Sequence, residues 1–228
     1  MYNRSLSLLA LTALVISIAP FALASAVTCR TGNACLNGTD YFDWTANFGP
    51  PGTFVVNNSV ATTMAGHQAT ISYAMGGEGQ RLDEGNGWNG NFSPGDELLW
   101  TNDNGALTIS FLNGFTVSGI GTQIQADVQG DFTAFIQAYN EQNQLIESFY
   151  ENGNSNRNHD GSAIFIGLAN DPGIAKVTFS LTSCVDACGS FAINQVDLVS
   201  AAVPEPISLP LLASGLAGGL ALSRRRLR

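Results

Sequence analysis

The chain has 228 residues, a formal net charge of −9 and a pI near 4.4. Between residues 27 and 202 it carries seventeen Asp and Glu against four basic residues, Arg30, Arg81, Arg157 and Lys176. Nucleic acid and anionic lipid both need a basic surface, so this acidic stretch excludes them as partners and is compatible with calcium or a cationic surface.

Residues 1–26 read as a signal peptide. Arg4 supplies the positive start, Leu6 to Ala19 is almost wholly apolar, and Pro20 breaks the helix. Ala22-Leu23-Ala24 and Ala24-Ser25-Ala26 are overlapping small-x-small exits. These are the three parts of a secretory signal, so export through the Sec machinery is expected. Cys29 and Cys35 follow, and a second close pair, Cys184 and Cys188, lies near the far end. An even count in an exported chain points to disulfides. Local pairing is the first choice and crossed pairing the alternative. The spacings, five and three intervening residues, do not match the two-residue knuckle of a zinc site.

Strand signals recur from residue 59 to 200. Leu107, Ile109 and Phe111 alternate with Thr108 and Ser110. Ala69–Met75, Ile120–Ala126, Phe132–Tyr139, Leu145–Tyr150, Ile164–Leu168 and Val177–Leu181 are further runs. In Phe191–Val199 the apolar parity slips between Ile193 and Val196, as a β-bulge would require. Gly, Asn, Asp and Pro clusters separate the runs. With no amphipathic helix in sight, the pattern predicts an all-β domain over 27–202, an antiparallel, jelly-roll-like β-sandwich. Residues 76–104 read differently, as a long loop region dense in oxygen ligands.

The chain ends in Val203-Pro204-Glu205-Pro206, sixteen uncharged residues from Ile207 to Leu222, and a cluster with Arg224, Arg225, Arg226 and Arg228. As a helix the uncharged stretch would be about 24 Å long, a little under a bilayer core. The arginines favour the cytoplasmic side. This order resembles the PEP-CTERM sorting signal over residues 203–228. The resemblance implies recognition by a membrane-embedded cysteine protease, exosortase, and a cut near Pro-Glu-Pro that releases or transfers the mature domain. It also implies transient membrane insertion of the precursor through the C-terminal transmembrane helix, and an association with exopolysaccharide and biofilm growth. The tail is then an address rather than a permanent anchor. The later half is similar, more loosely, to β-sandwich domains that precede such tails, distant relatives of galactose-binding and legume-lectin-like folds. The similarity rests on Gly119-Ile120-Gly121, the Tyr139 to Leu145 hairpin, Phe165-Ile166-Gly167-Leu168, Ile174 to Phe179 and Phe191 to Leu198. It speaks for fold rather than function.

Calcium takes six to eight oxygen ligands, which Asp83, Glu84, Asn91 and Asp96, helped by Asn86 and Asn89, could furnish. Trp88, in a Gly- and Asn-rich loop with Asn86 and Asn89, could stack on a sugar ring while the amides read hydroxyls; the alternative is a hydrophobic plug. The two imidazoles, His67 and His159, lie in no nucleophile motif. Paired carboxylates among Glu78, Asp83, Glu84 and Glu97 would be needed for a glycan-active enzyme. The sequence therefore predicts a non-enzymatic, exported cell-envelope or extracellular-matrix protein. A calcium-assisted carbohydrate-binding module, with exopolysaccharide as partner, is the alternative.

Overall fold

The computed structural model describes residues 36–169, 173–186 and 188–200. The expected signal peptide, Cys29, Cys35 and the expected sorting tail with Val203, Pro204, Glu205, Pro206, Arg224, Arg225 and Arg226 lie outside the described residues. Within them, over half the residues are strand. In chain order the strands are β1 (Asp40–Phe42), β2 (Phe54–Val56), β3 (Ser59–Thr62), β4 (Gln68–Tyr73), β5 (Glu78–Glu84), β6 (Gly87–Trp88) and β7 (Glu97–Trp100). There follow β8 (Leu107–Phe111), β9 (Val117–Ala126), β10 (Gly130–Tyr139), β11 (Leu145–Ser155), β12 (Ile164–Leu168), β13 (Lys176–Cys184) and β14 (Phe191–Ser200). One short helix, α1 (Trp44–Phe48), is capped by Asp43, whose Oδ1 accepts from the Ala46 N–H at 2.6 Å.

The strands form two sheets. The first runs β12-β9-β14-β7-β5-β2, with β1 added to β14 and β6 to β5; the second runs β11-β10-β13-β8-β4-β3. All pairings are antiparallel except the short β5–β6 contact. From β7 onward the chain alternates between the sheets except at the β10–β11 hairpin, giving the orders β7-β14-β9-β12 and β8-β13-β10-β11. That double winding is a jelly roll.

Alternation in the sequence explains the core. Leu107, Ile109 and Phe111, Ala134 and Ile136, Val177 and Phe179, and Ile120 and Ile124 all point between the sheets and are buried. The parity slip in β14 is a bulge between Ile193 and Val196. It turns Asn194 sideways, where its Oδ1 accepts from the Gln123 N–H at 3.0 Å and its Nδ2 donates to Gln123 Oε1 at 2.7 Å. Its carbonyl accepts from Trp44 Nε1 at 2.8 Å, which fixes α1 against the sheet.

Two expectations need correction. Residues 76–104 are not one long loop: β5 and β7 run through them as inner members of the first sheet. β5 hid because Glu-Gly-Gln-Arg-Leu-Asp-Glu has almost no apolar alternation, and its buried Arg81 and Glu84 are held by polar partners instead. β11 also extends to Ser155, past the turn-like Asn152-Gly153-Asn154.

Cys184 and Cys188 form a disulfide with a Cα–Cα distance of 5.4 Å, the local pairing. It closes the exit of β13 and is compatible with an oxidising compartment. Among the described residues, no helix is long and apolar enough to cross a membrane.

Candidate functional site

The outer face of the first sheet is not left to solvent. β5, β7 and β14 present Leu82, Leu98 and Ala192 there, and the chain between β5 and β7 folds back to cover them with Trp88 and Phe92. The two rings meet edge-on at 6.4 Å, and Trp88 lies 6.5 Å from Trp100. Only 7% of Trp88 is exposed. The ring is thus a plug that holds its loop to the sheet, not an open platform for a sugar.

Polar anchors complete the attachment. Glu84 is buried, and its carboxylate accepts from the N–H groups of Gly90, at 2.9 and 3.2 Å, and Phe92, at 3.2 Å. His159 Nδ1 lies 2.6 Å from Glu84 Oε1, and the His159 N–H donates to the Gly90 carbonyl at 2.9 Å. A side chain at Gly90 would put its Cβ 2.2 Å from Gln125 Oε1, so this close approach requires glycine. Gln125, from β9, accepts from the Asn91 N–H at 2.7 Å and donates to Asn91 Oδ1 and Ser155 Oγ, both at 2.8 Å. Asn91 Oδ1 also accepts from the Asn156 N–H at 2.6 Å. Two Asn- and Gly-containing stretches, 83–91 and 156–161, are therefore one unit. The contacts that join them, Gln125–Asn91 and His159–Glu84, connect residues far apart in the chain and leave no local sequence signal.

The proposed oxygen ligands are placed apart in function. Asp83 pairs with Arg81, and Glu84 is turned inward. Asn91 sits in the Gln125 network, and Asp96 Oδ2 accepts from the Ser93 N–H at 3.1 Å. Among the described residues, no three His, Cys, Asp or Glu side chains gather as a metal site. Asn86 and Asn89 are exposed.

Asn89 and the rim of Trp88 border a polar hollow of about 290 Å³. Gln125 and Asn156 also line it, with Asp127 and Arg157 on its walls. Asp127 Oδ2 accepts from Ser190 Oγ at 3.0 Å, and the Gln129 amide oxygen, turned toward it, accepts from the Arg157 guanidinium. The hollow offers amide donors and acceptors with little stacking surface.

At the other end of the covering loop, Glu97 Oε2 accepts from the Thr45 N–H at 2.9 Å, and its Oε1 lies 3.5 Å from Arg81 Nη2. Burial pushes the Glu97 carboxyl up, but Thr45 and Arg81 together hold it below its ordinary value. His67 stacks on Phe115 with ring centres 3.7 Å apart. Among the described residues, neither imidazole pairs with a Ser, Thr or Cys side chain; His159 meets the buried Glu84 carboxylate instead.

No protein-family model matches the sequence, and no characterised protein does at a significant level. Solved structures show distant similarity. A DUF4465 family protein from Bacteroides caccae is 10% identical with a TM-score of 0.44, covering 71% of this chain and 99% of that one. A glycoside hydrolase family 43 arabinoxylan arabinofuranohydrolase from Bacillus subtilis is 11% identical, with a TM-score of 0.30, covering 68% and 42%. The tandem CBM22 domains of Paenibacillus barcinonensis Xyn10C are 11% identical, with a TM-score of 0.29, covering 74% and 47%. At such identities and scores the likeness carries no function across.

Proposed function

We propose that this chain is an exported, non-enzymatic surface or matrix component, carried out by Sec, sorted by exosortase and linked to exopolysaccharide or biofilm. The observation that carries the reading is where the last described strand ends. β14 ends at Ser200, three residues before Val203-Pro204-Glu205-Pro206, so a cut at that motif would leave every described strand in place. The local disulfide between Cys184 and Cys188 agrees with export. The absence of catalysis is part of the proposal and rests on the carboxylates near the covering loop. Asp83, Glu84 and Glu97 are each held by structural partners rather than facing one another across a cleft.

The test is the intact mass and location of the protein in its host. A mass ending between Val203 and Pro206, with protein in the medium or matrix, is expected. A mass that still contains Arg228, recovered from the membrane fraction, would reject sorting.

A second reading, a carbohydrate-binding module, is favoured by a different surface, the open face of the second sheet. That face carries a stacked aromatic pair, Phe135 and Tyr150, of which Tyr150 is exposed.

A further inference from the structure

Among the described residues, no segment like 85–96 folds back over the β10–β11 face, where Tyr150 is exposed. In β10 the residues Phe132, Ala134, Ile136 and Ala138 point into the core, so Asp131, Thr133, Phe135 and Gln137 point outward. Across the register, Phe135 faces Tyr150, Thr133 faces Asn152 and Asp131 faces Asn154 on β11. These three pairs are successive on one face and span about 13 Å along the strand.

Phe135 and Tyr150 stack with ring centres 4.2 Å apart and planes 14° from parallel. Tyr150 is 60% exposed. A large aromatic so open on a sheet face usually has something to cover, because burying a ring is worth more than leaving it wet. Beside it the face dips into a hollow of about 530 Å³ lined by Asp131, Thr133, Asn152 and Asn154. Gly153, Phe132 and Ile164 also border it; on the core side a Cβ at Gly153 would lie 2.5 Å from the Phe132 ring, so glycine lets that ring close against the strand. Its polar walls are held in position. Thr133 Oγ1 donates to Asn152 Oδ1 at 2.9 Å, and Asn154 Nδ2 donates to Asp131 Oδ1 at 2.7 Å. Among the described residues, Asn152 Nδ2 and Asp131 Oδ2 keep no protein partner, leaving a donor and an acceptor for a ligand.

Charge selects the ligand. Gln137 and Ser148 continue the face on one side, and Thr178 and Ser180 of β13 flank it. None is charged. The two charges of the β10 and β13 outer rows stand at its ends: Asp131 in the hollow, and Lys176 over the Tyr139 ring at 4.1 Å. In a chain of net charge −9, an anionic polymer is repelled and a cationic one meets a single carboxylate. A stacking ring, fixed amides and no central charge suit a neutral polyhydroxylated chain.

We infer that the β10–β11 face binds a neutral polysaccharide, a sugar ring stacking on Tyr150 and its neighbours' hydroxyls meeting Asn152 and Asp131. This rests on the carbohydrate-binding reading and moves its site from the Trp88 loop to the opposite sheet.

The full chain is run through native gels cast with xylan, mixed-linkage β-glucan or galactomannan, with polygalacturonate as the anionic comparison. Retardation by at least one neutral polymer is expected. Tyr150→Ala should weaken it at least tenfold, Tyr150→Phe should retain it, and Asn152→Ala should weaken it several-fold. Melting temperatures of the variants, taken by circular dichroism, separate lost binding from lost folding. Retardation that Tyr150→Ala leaves intact in a folded protein would overturn this site while leaving glycan binding in place. No retardation by any neutral polymer would overturn both. Velocity sedimentation covers the remaining occupant, since a dimer that Tyr150→Ala dissolves would assign the face to a second copy of the chain.

Discussion

Glu84 is read in the sequence as one oxygen among many in an acidic loop, yet its side chain lies inside the protein. Its carboxylate gathers two backbone N–H groups of the covering loop and lies against His159. Nothing in the sequence separates it from Glu78, six residues earlier on the same strand and exposed. The difference comes from Gly90, Phe92 and His159, whose positions only the fold supplies. Removing the carboxylate strands buried donors, at about 1–3 kcal/mol for each group left unsatisfied. Glu84→Ala should therefore destabilise by about 3 kcal/mol, seen as a lower urea midpoint at unchanged slope. Glu84→Gln, which keeps one accepting oxygen, should lose less. A midpoint unmoved by Glu84→Ala would mean that the loop is held by Trp88 and Phe92 alone. Trp88 was legible as either a plug or a platform, because a lone aromatic among glycines does not declare which face it turns. The three-residue reach from Trp88 to Asn91, which enters the Gln125 network, is what pins it inward.

At the scale of elements, the strands that alternate cleanly were readable: β8, β9, β10, β12 and β13 lie where the period-2 pattern put them. β1, β2, β3, β5 and β7 were not, being short or polar, and their burial depends on partners distant in sequence. The outward row of β11 shows a further limit. Ser148, Tyr150 and Asn152 alternate with Phe149 in plain view, but an outward aromatic is only recognisable once the sheet's inner side is known. The disulfide belongs to this scale because it ties one strand exit to the turn before β14, with a sequence separation of four. So short a loop removes little unfolded-chain entropy, about 2 kcal/mol in the loop-closure picture. The double replacement Cys184→Ser with Cys188→Ser should lower the unfolding free energy by about that amount and leave the near-ultraviolet dichroism native. Loss of the native fold would instead show that this exit controls the placement of β14.

For the whole molecule the winding matters more than any single contact. β14 sits inside the first sheet with β9 on one side and β7 and β1 on the other, so the last of the described strands is among the most enclosed. It contributes Ile193, Val196 and Leu198 to the core, each fully buried, and fully burying one such side chain is worth roughly 1.5–3 kcal/mol. β1, near the start of the described chain, pairs with the far half of the same strand through Asp40 to Leu198 and Phe42 to Val196. The domain is therefore closed by joining its two ends, and it cannot tolerate loss of the second end. A chain stopped after Ala202 keeps every described strand and should melt at the temperature of the intact protein. A chain stopped after Gln195 loses Val196 and Leu198 and the ladder to β1, and should show no cooperative transition by circular dichroism. If the longer version also fails to melt cooperatively, residues beyond 202 take part in folding, and a cut near Pro204 would then release an unstable domain. If it melts as expected, the boundary between the folded domain and the tail falls where a sorting protease could cut without disturbing either sheet.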